Sequence, residues 1–171
     1  MTWVVLSAEG EREQEARASA ESFLGGRATL VARSFRESFF PYVGGEIKEF
    51  FEELRRDVEP DVVFTHAGTD LHQDHRLAAE LTWNTFRDHL ILEYEIPKYD
   101  GDLGSPNVFV PLSEQIVARK VELLLEHFPS QRRKHWFTED LFRATMRLRG
   151  MEANSPTSFA EGFRCRKLVL S

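Results

Sequence analysis

Asp61-Val62-Val63-Phe64-Thr65-His66 and, beyond a short loop, Asp70-Leu71-His72-Gln73-Asp74-His75-Arg76 form the stretch that decides the fold. Pro60 introduces five residues rich in β-branched and aromatic types, which predict a buried strand over Asp61–Thr65. From Gln73 through Leu77, Leu81 and Phe86 the apolar spacing changes to that of a helix. Asp70 with Gln73 three residues on reads as a capping box, so the helix should begin near His72. Residues three apart are neighbours on a helix surface, which puts His72 and His75 on one face of the first turn. Two imidazoles and a carboxylate then stand at the carboxyl end of a strand, where open α/β sheets put their sites.

Outward from that stretch, strands and helices alternate. Trp3–Ala8 is a strand, and Glu9–Leu24 an acidic helix with a mixed stripe of Glu13, Ala16, Ala20 and Phe23, stopped by Gly25-Gly26. Ala28–Phe35 is a strand, followed by an aromatic loop, Phe35–Tyr42, and a helix bearing Ile47, Phe50, Phe51, Leu54 and Val58. Leu90–Ile96 is a strand closed by Pro97, and Lys98–Asn107 a surface loop of the kind that carries binding residues. Val108–Val110 is extended, and Ser113 caps a helix bearing Ile116, Val117, Val121, Leu124 and Phe128. Lys167–Leu170 reads as a last strand. The alternation predicts one α/β domain over residues 1–171, its sheet mostly parallel with helices on both faces.

With 171 residues the chain can bury roughly 70% of its unfolded surface. A formal net charge of -6 argues against a nucleic-acid partner, which needs a basic surface. No apolar run approaches the length of about 18 residues that a membrane span needs, and no signal-peptide pattern opens the sequence. A single cysteine, Cys165, excludes an internal disulfide and fits the cytoplasm; its position in a terminal strand marks it as structural. The segment Arg132–Arg149 is locally basic: either a solvated helix face or a landing site for an anionic sugar or nucleotide.

His72 and His75 form an H-x-x-H pair with Asp74 beside both rings, and a carboxylate can fix the tautomer of a ligand imidazole. His66 and Asp70 add polar groups to the same loop. A catalytic zinc usually has three protein ligands and an open position, and hydrolysis also needs a carboxylate base. His89, His127 and His135 are isolated. An unrelated α/β metal protein, its two-histidine site completed by Asp70 or His66, stays open on these residues.

The run Pro60–His66 followed by Asp70–Arg76 resembles the second signature of the PIG-L/LmbE family of zinc-dependent N-deacetylases. Arg12-Glu13-Gln14-Glu15 before Leu24-Gly25 is similar to the family's R-x-x-E helix. Phe159-Ala160-Glu161-Gly162-Phe163 resembles its C-terminal Ala-Glu-x-Phe. The resemblance implies a Rossmann-like fold, zinc as cofactor and removal of an acetyl group from an N-acetylated amino sugar or its conjugate. It implies that His75 is a zinc ligand, that His72 stabilises the oxyanion and protonates the leaving amine, and that Asp74 orients a histidine. Arg12 would contact substrate, with Glu161 near the site.

The family opens with a strand followed by His-Pro-Asp-Asp-Glu, which supplies two zinc ligands and the general base; this sequence has no such motif. Its first strand resembles the family's second. The expectation is therefore an N-terminally truncated domain whose first, central strand is missing. Strands Trp3–Ala8 and Asp61–Thr65 would each expose a free edge, favouring self-association, and the truncated chain would be inactive or impaired. The alternative function is a non-catalytic sugar-binding or scaffold relative of the same fold.

Overall fold

Thr2–Val5 (β1) and Thr29–Ala32 (β2) pair in parallel, Thr2 opposite Thr29 and Val5 opposite Ala32. Between them runs Glu11–Leu24 (α1), which ends at Gly25 in the left-handed conformation (φ 58°, ψ 47°), a turn that only glycine makes without steric cost. The computed structural model describes residues 1–169, and Leu170 of the expected last strand lies outside them. Two compact units result, Met1–Phe35 with Pro111–Glu161, and Arg36–Val110 with the chain from Gly162.

In the first unit, Glu114–His127 (α4) follows Ser113, whose hydroxyl accepts the Ile116 N–H at 3.3 Å as the sequence predicts. Glu139–Glu152 (α5) packs on α4, and α1 packs on α4 as well. The core is Leu112, Val117, Val121, Phe137, Phe142 and Met146. The expected stripe on α1 is corrected: Glu15, Ala16, Ser19 and Ala20 are buried and Phe23 is exposed. Glu15 goes inside because its carboxylate accepts both the backbone N–H (2.8 Å) and the hydroxyl (2.7 Å) of Ser130.

In the second unit, Gly44–Asp57 (α2) packs against Gln73–Thr85 (α3), burying Ile47, Phe50 and Phe51. Val62–His66 (β3) runs parallel to Leu90–Tyr94 (β4), with His66 opposite Tyr94. Val108–Leu112 (β5) and Phe159–Cys165 (β6) complete a sheet of order β3-β4-β6-β5. Among the described residues the final strand is thus Phe159–Cys165, residues 167–169 being outside any strand, and it runs antiparallel to β4, so this sheet is mixed. Asn107 fixes its end, donating to the Cys165 carbonyl at 3.1 Å and accepting the Cys165 N–H at 2.8 Å.

Among the described residues β1 pairs with β2 alone and β3 with β4 alone, so each keeps one edge without a strand partner. The expectation that Asp61–Thr65 is buried is corrected. Thr65 is covered by α3, its hydroxyl 3.0 Å from that of Thr82, but Val62 and Phe64 on the opposite face are 36% and 47% exposed. Side chains alternate across a strand, and α3 covers one face of this one. Among the described residues no helix is long and apolar enough to cross a membrane.

Gly150, in α5, sits where a Cβ would stand 2.1 Å from the Ser158 carbonyl oxygen. Alanine usually stabilises a helix interior by about 1 kcal/mol over glycine. Here Gly150→Ala should instead destabilise by about 2 kcal/mol or more through overpacking, measured by urea unfolding. A neutral or stabilising effect would contradict this packing of α5.

Candidate functional site

Because β3 and β4 are parallel and in register at His66 and Tyr94, the loops that leave them emerge from the same end of the sheet. Asp70, 4% exposed, is the centre of what they build. Its Oδ2 lies 2.9 Å from His75 Nδ1, its Oδ1 accepts the His72 N–H at 2.7 Å, and Lys98 Nζ stands 3.1 Å from Oδ1. Asp70 therefore does not form the expected capping box with Gln73. The helix N-cap is His72, whose own Nδ1 accepts the Asp74 N–H at 3.3 Å. Burial pushes the Asp70 carboxyl up, but the bonds from His75, the His72 amide and Lys98 outweigh it and hold the group below the ordinary carboxylate range.

The loop after β4 locks the other side. Lys98, its side chain 8% exposed, pairs with Asp102 at 2.5 Å, and Asp102 accepts the Leu71 N–H at 2.7 Å. Burial disfavours the Lys98 charge, yet Asp102 and Asp70 together raise its pKa above the ordinary lysine value. Asp102 is likewise held low against burial by the Leu71 amide and Lys98. Desolvation, with the neighbouring Asp70 next in weight, pushes the half-buried Tyr94 up to about 12.

Asp74, 3% exposed, does not turn its carboxylate to the rings: it accepts the Ser38 N–H at 2.5 Å and the Phe40 N–H at 3.1 Å. It anchors the aromatic loop to the head of α3, while Gln73 donates to the Ser38 carbonyl. The carboxylate that holds His75 is Asp70. Arg12 and Glu161 lie in the first unit. Arg12 donates to Ser130 Oγ at 3.3 Å and stands 3.7 Å from Glu15, and Glu161 pairs with Lys120. The basic segment is largely committed to structure: Arg143 pairs with Glu114, Arg149 with Glu152 at 2.7 Å, and Arg132 and Arg147 donate to carbonyls.

Three imidazoles gather around Asp70. His66 and His75 are stacked at 3.9 Å and 6°, and His72 lies 4.5 Å from His75. His66 Nδ1 is shut from solvent and has no hydrogen-bond partner. Donor atoms of His66, Asp70 and His75 lie within 4.8 Å of one another, a group able to hold a metal ion. An orphaned buried nitrogen beside a carboxylate and a second imidazole fits a divalent ion that accepts N and O ligands. The sequence leaves His66 open as the residue completing a metal site; Lys98 and Asp102 exceed what motif spacing reveals, and their one signal is a loop of the kind that carries binding residues.

Tautomers follow from the partners. An ionised carboxylate only accepts, so His75 carries its proton on Nδ1 and presents the Nε2 lone pair. His72 accepts at Nδ1, so its neutral ring carries the proton on Nε2. Two adjacent rings thus offer opposite functions, one an electron pair and the other an N–H.

The sequence matches no protein-family model and no curated protein. Solved structures do match. One is the 4-carboxy-2-hydroxymuconate hydratase of Pseudomonas putida, with TM-score 0.73 and 16% identity, covering 100% of this chain and 85% of that one. Another is the N,N'-diacetylchitobiose deacetylase of Pyrococcus horikoshii, with TM-score 0.65 and 19% identity, covering 96% and 72%. A deacetylase of the teicoplanin biosynthetic pathway has TM-score 0.68 and 18% identity, covering 90% and 69%. At these identities the likeness is one of fold, and that fold is the Rossmann-like one the PIG-L/LmbE resemblance implies.

Burial, with the neighbouring His75 next in weight, lowers the His66 pKa from 6.5 to about 3. Between those values the unfolded chain binds a proton that the folded one refuses. The His66 contribution is thus complete above pH 6.5 and is lost as pH falls toward 3. Metal-stripped protein should lose about 2 kcal/mol of stability through this group between pH 7 and 5. His66→Phe, which keeps a ring of similar size, should flatten that slope in urea titrations; an unchanged slope would contradict the assignment.

Proposed function

We infer that this chain is a PIG-L/LmbE-type, zinc-dependent N-deacetylase, acting on the acetamide of an N-acetylated amino sugar or its conjugate. The observation that carries this reading is the opposite bonding of two rings 4.5 Å apart: His72 Nδ1 faces the Asp74 N–H, and His75 Nδ1 faces the Asp70 carboxylate. Amide hydrolysis needs a Lewis acid or donor for the carbonyl oxygen and an acid for the leaving amine. His75 Nε2 is a metal ligand in this reading, with His66 beside it in the donor group, while Asp70 holds the Nδ1 side of the His75 ring. When bound, zinc supplies Lewis acidity toward the acetyl carbonyl and toward water.

The work of the residues is then separable. Asp70 fixes the His75 ring and, in its neutral form, directs the proton to Nδ1, which turns the Nε2 lone pair outward. His72 Nε2–H donates to the carbonyl oxygen as charge develops, and the departing amine takes the proton that the base removes from water, relayed through His72 as an imidazolium. Asp74 is a positioning residue: its N–H aims His72, and its carboxylate anchors the loop at Ser38 and Phe40. By the resemblance, Arg12 and Glu161 contact the substrate. The base that takes the proton of water is a carboxylate, but Asp70, Asp74 and Asp102 are each committed to several donors. That commitment supports slow turnover by these 171 residues.

Zinc binding by the purified chain should be stoichiometric and should weaken at least tenfold in His75→Ala, read by competition with a chromogenic chelator. Acetate release from an N-acetylglucosamine conjugate should depend on zinc and fall about 100-fold in His72→Ala. Sugar binding with neither zinc uptake nor acetate release would overturn the reading in favour of a non-catalytic sugar-binding relative.

A further inference from the structure

Beside the histidine loop, the face of α3 that carries Arg76, Glu80 and Trp83 borders a pocket of about 490 Å³ that amide hydrolysis leaves unused. Gly68, Arg87 and Arg166 also line it. Beneath it lies Glu93, 1% exposed. Its Oε1 accepts from Trp83 Nε1 at 2.6 Å and from Arg166 Nη2 at 3.4 Å, and its Oε2 accepts the Gly68 N–H at 3.2 Å. A buried carboxylate is costly unless bonded in this way, and these bonds fix the indole and the guanidinium together.

Arg166 lies 4.2 Å over the Trp83 ring, and its side chain is still 51% exposed. A guanidinium has five donors, and the bond to Glu93 leaves others for a ligand. Arg76 spends Nη1 on the carbonyls of Asp70 and Leu71 (3.1 and 3.2 Å), and Arg87 donates to the Asn84 carbonyl at 3.0 Å. Neither has a carboxylate ion-pair partner among the described residues. Lys167 Nζ, outside the pocket lining, reaches the Arg87 carbonyl at 2.5 Å. Against these stand Glu80 and the buried Glu93. A Cβ on Gly68 would come within 3.3 Å of Arg166 Nη2, so glycine leaves room for the guanidinium. In a chain of net charge -6, Arg76 and Arg87 without carboxylate partners, together with the spare donors of Arg166, form a site for an anion.

We propose that this pocket binds a tetrahedral oxyanion, a phosphate free or carried on a small ligand. The inference does not rest on the deacetylase reading. Isothermal titration with inorganic phosphate and with N-acetylglucosamine 1-phosphate tests it on the full chain. Saturable one-site phosphate binding should weaken at least tenfold in Arg87→Gln and in Arg166→Gln, and should persist in His75→Ala. Arg87→Gln carries the test if Arg166→Gln disturbs folding by freeing Glu93. Tighter binding of the sugar phosphate than of phosphate, reduced by His75→Ala, identifies the anion as part of the substrate of the histidine site. Equal affinities identify a free anion. No saturation at millimolar phosphate, or binding untouched by both arginine variants, would overturn the proposal.

Discussion

One buried carboxylate, that of Asp70, organises the site. It accepts hydrogen bonds from His75 Nδ1 and from the His72 N–H, and it pairs with the ammonium of Lys98. A buried charge persists only when its lone pairs are filled, so each partner is also a constraint on the loop or helix that bears it. Through His72 it sets where α3 begins; through Lys98 it ties the loop after β4 to the loop after β3. Removing it would leave Lys98 with Asp102 alone and free the His75 ring to choose either tautomer.

The parallel register of β3 and β4 makes this possible. His66 opposite Tyr94 brings two loop starts to one end of the sheet. The chemistry is then a division of labour between rings of the same type. In the proposed reading Asp70 makes His75 an electron-pair donor, and the Asp74 N–H in the first turn of α3 makes His72 an N–H donor. Spacing along a helix places the rings together; only their hydrogen-bond partners make them different. The hydratase and the deacetylases that share this fold underline the point that a scaffold does not choose a reaction.

Much of the scaffold was legible in the sequence, and so was the pair His72 and His75. Local signals sufficed there: apolar period, Gly25 after α1, Ser113 before α4, and histidines three apart. What stayed hidden depends on partners distant in the chain. Asp70 beside Gln73 looks like a local cap, and nothing in its neighbourhood announces Lys98. Asp74 looks like an orienting carboxylate until Ser38 and Phe40 arrive to claim it. Val62 and Phe64 are apolar by type, but composition does not say that α3 covers only the Thr65 face. The run of residues 167–169 is the more apolar yet forms no strand, whereas β6 carries Glu161 and Gly162 and is held by pairing to β4 and by Asn107.

The central claim, that Asp70 dictates the state of His75, is open to direct observation by ring nitrogen-15 NMR of the histidines, with and without zinc. In the metal-free protein His75 should be protonated at Nδ1 and bare at Nε2, and zinc should shift the Nε2 resonance while leaving Nδ1–H in place. The same tautomer should lose its dominance in Asp70→Asn. A His75 ring protonated at Nε2 in the wild type, or zinc displacing the Nδ1 proton, would contradict the account.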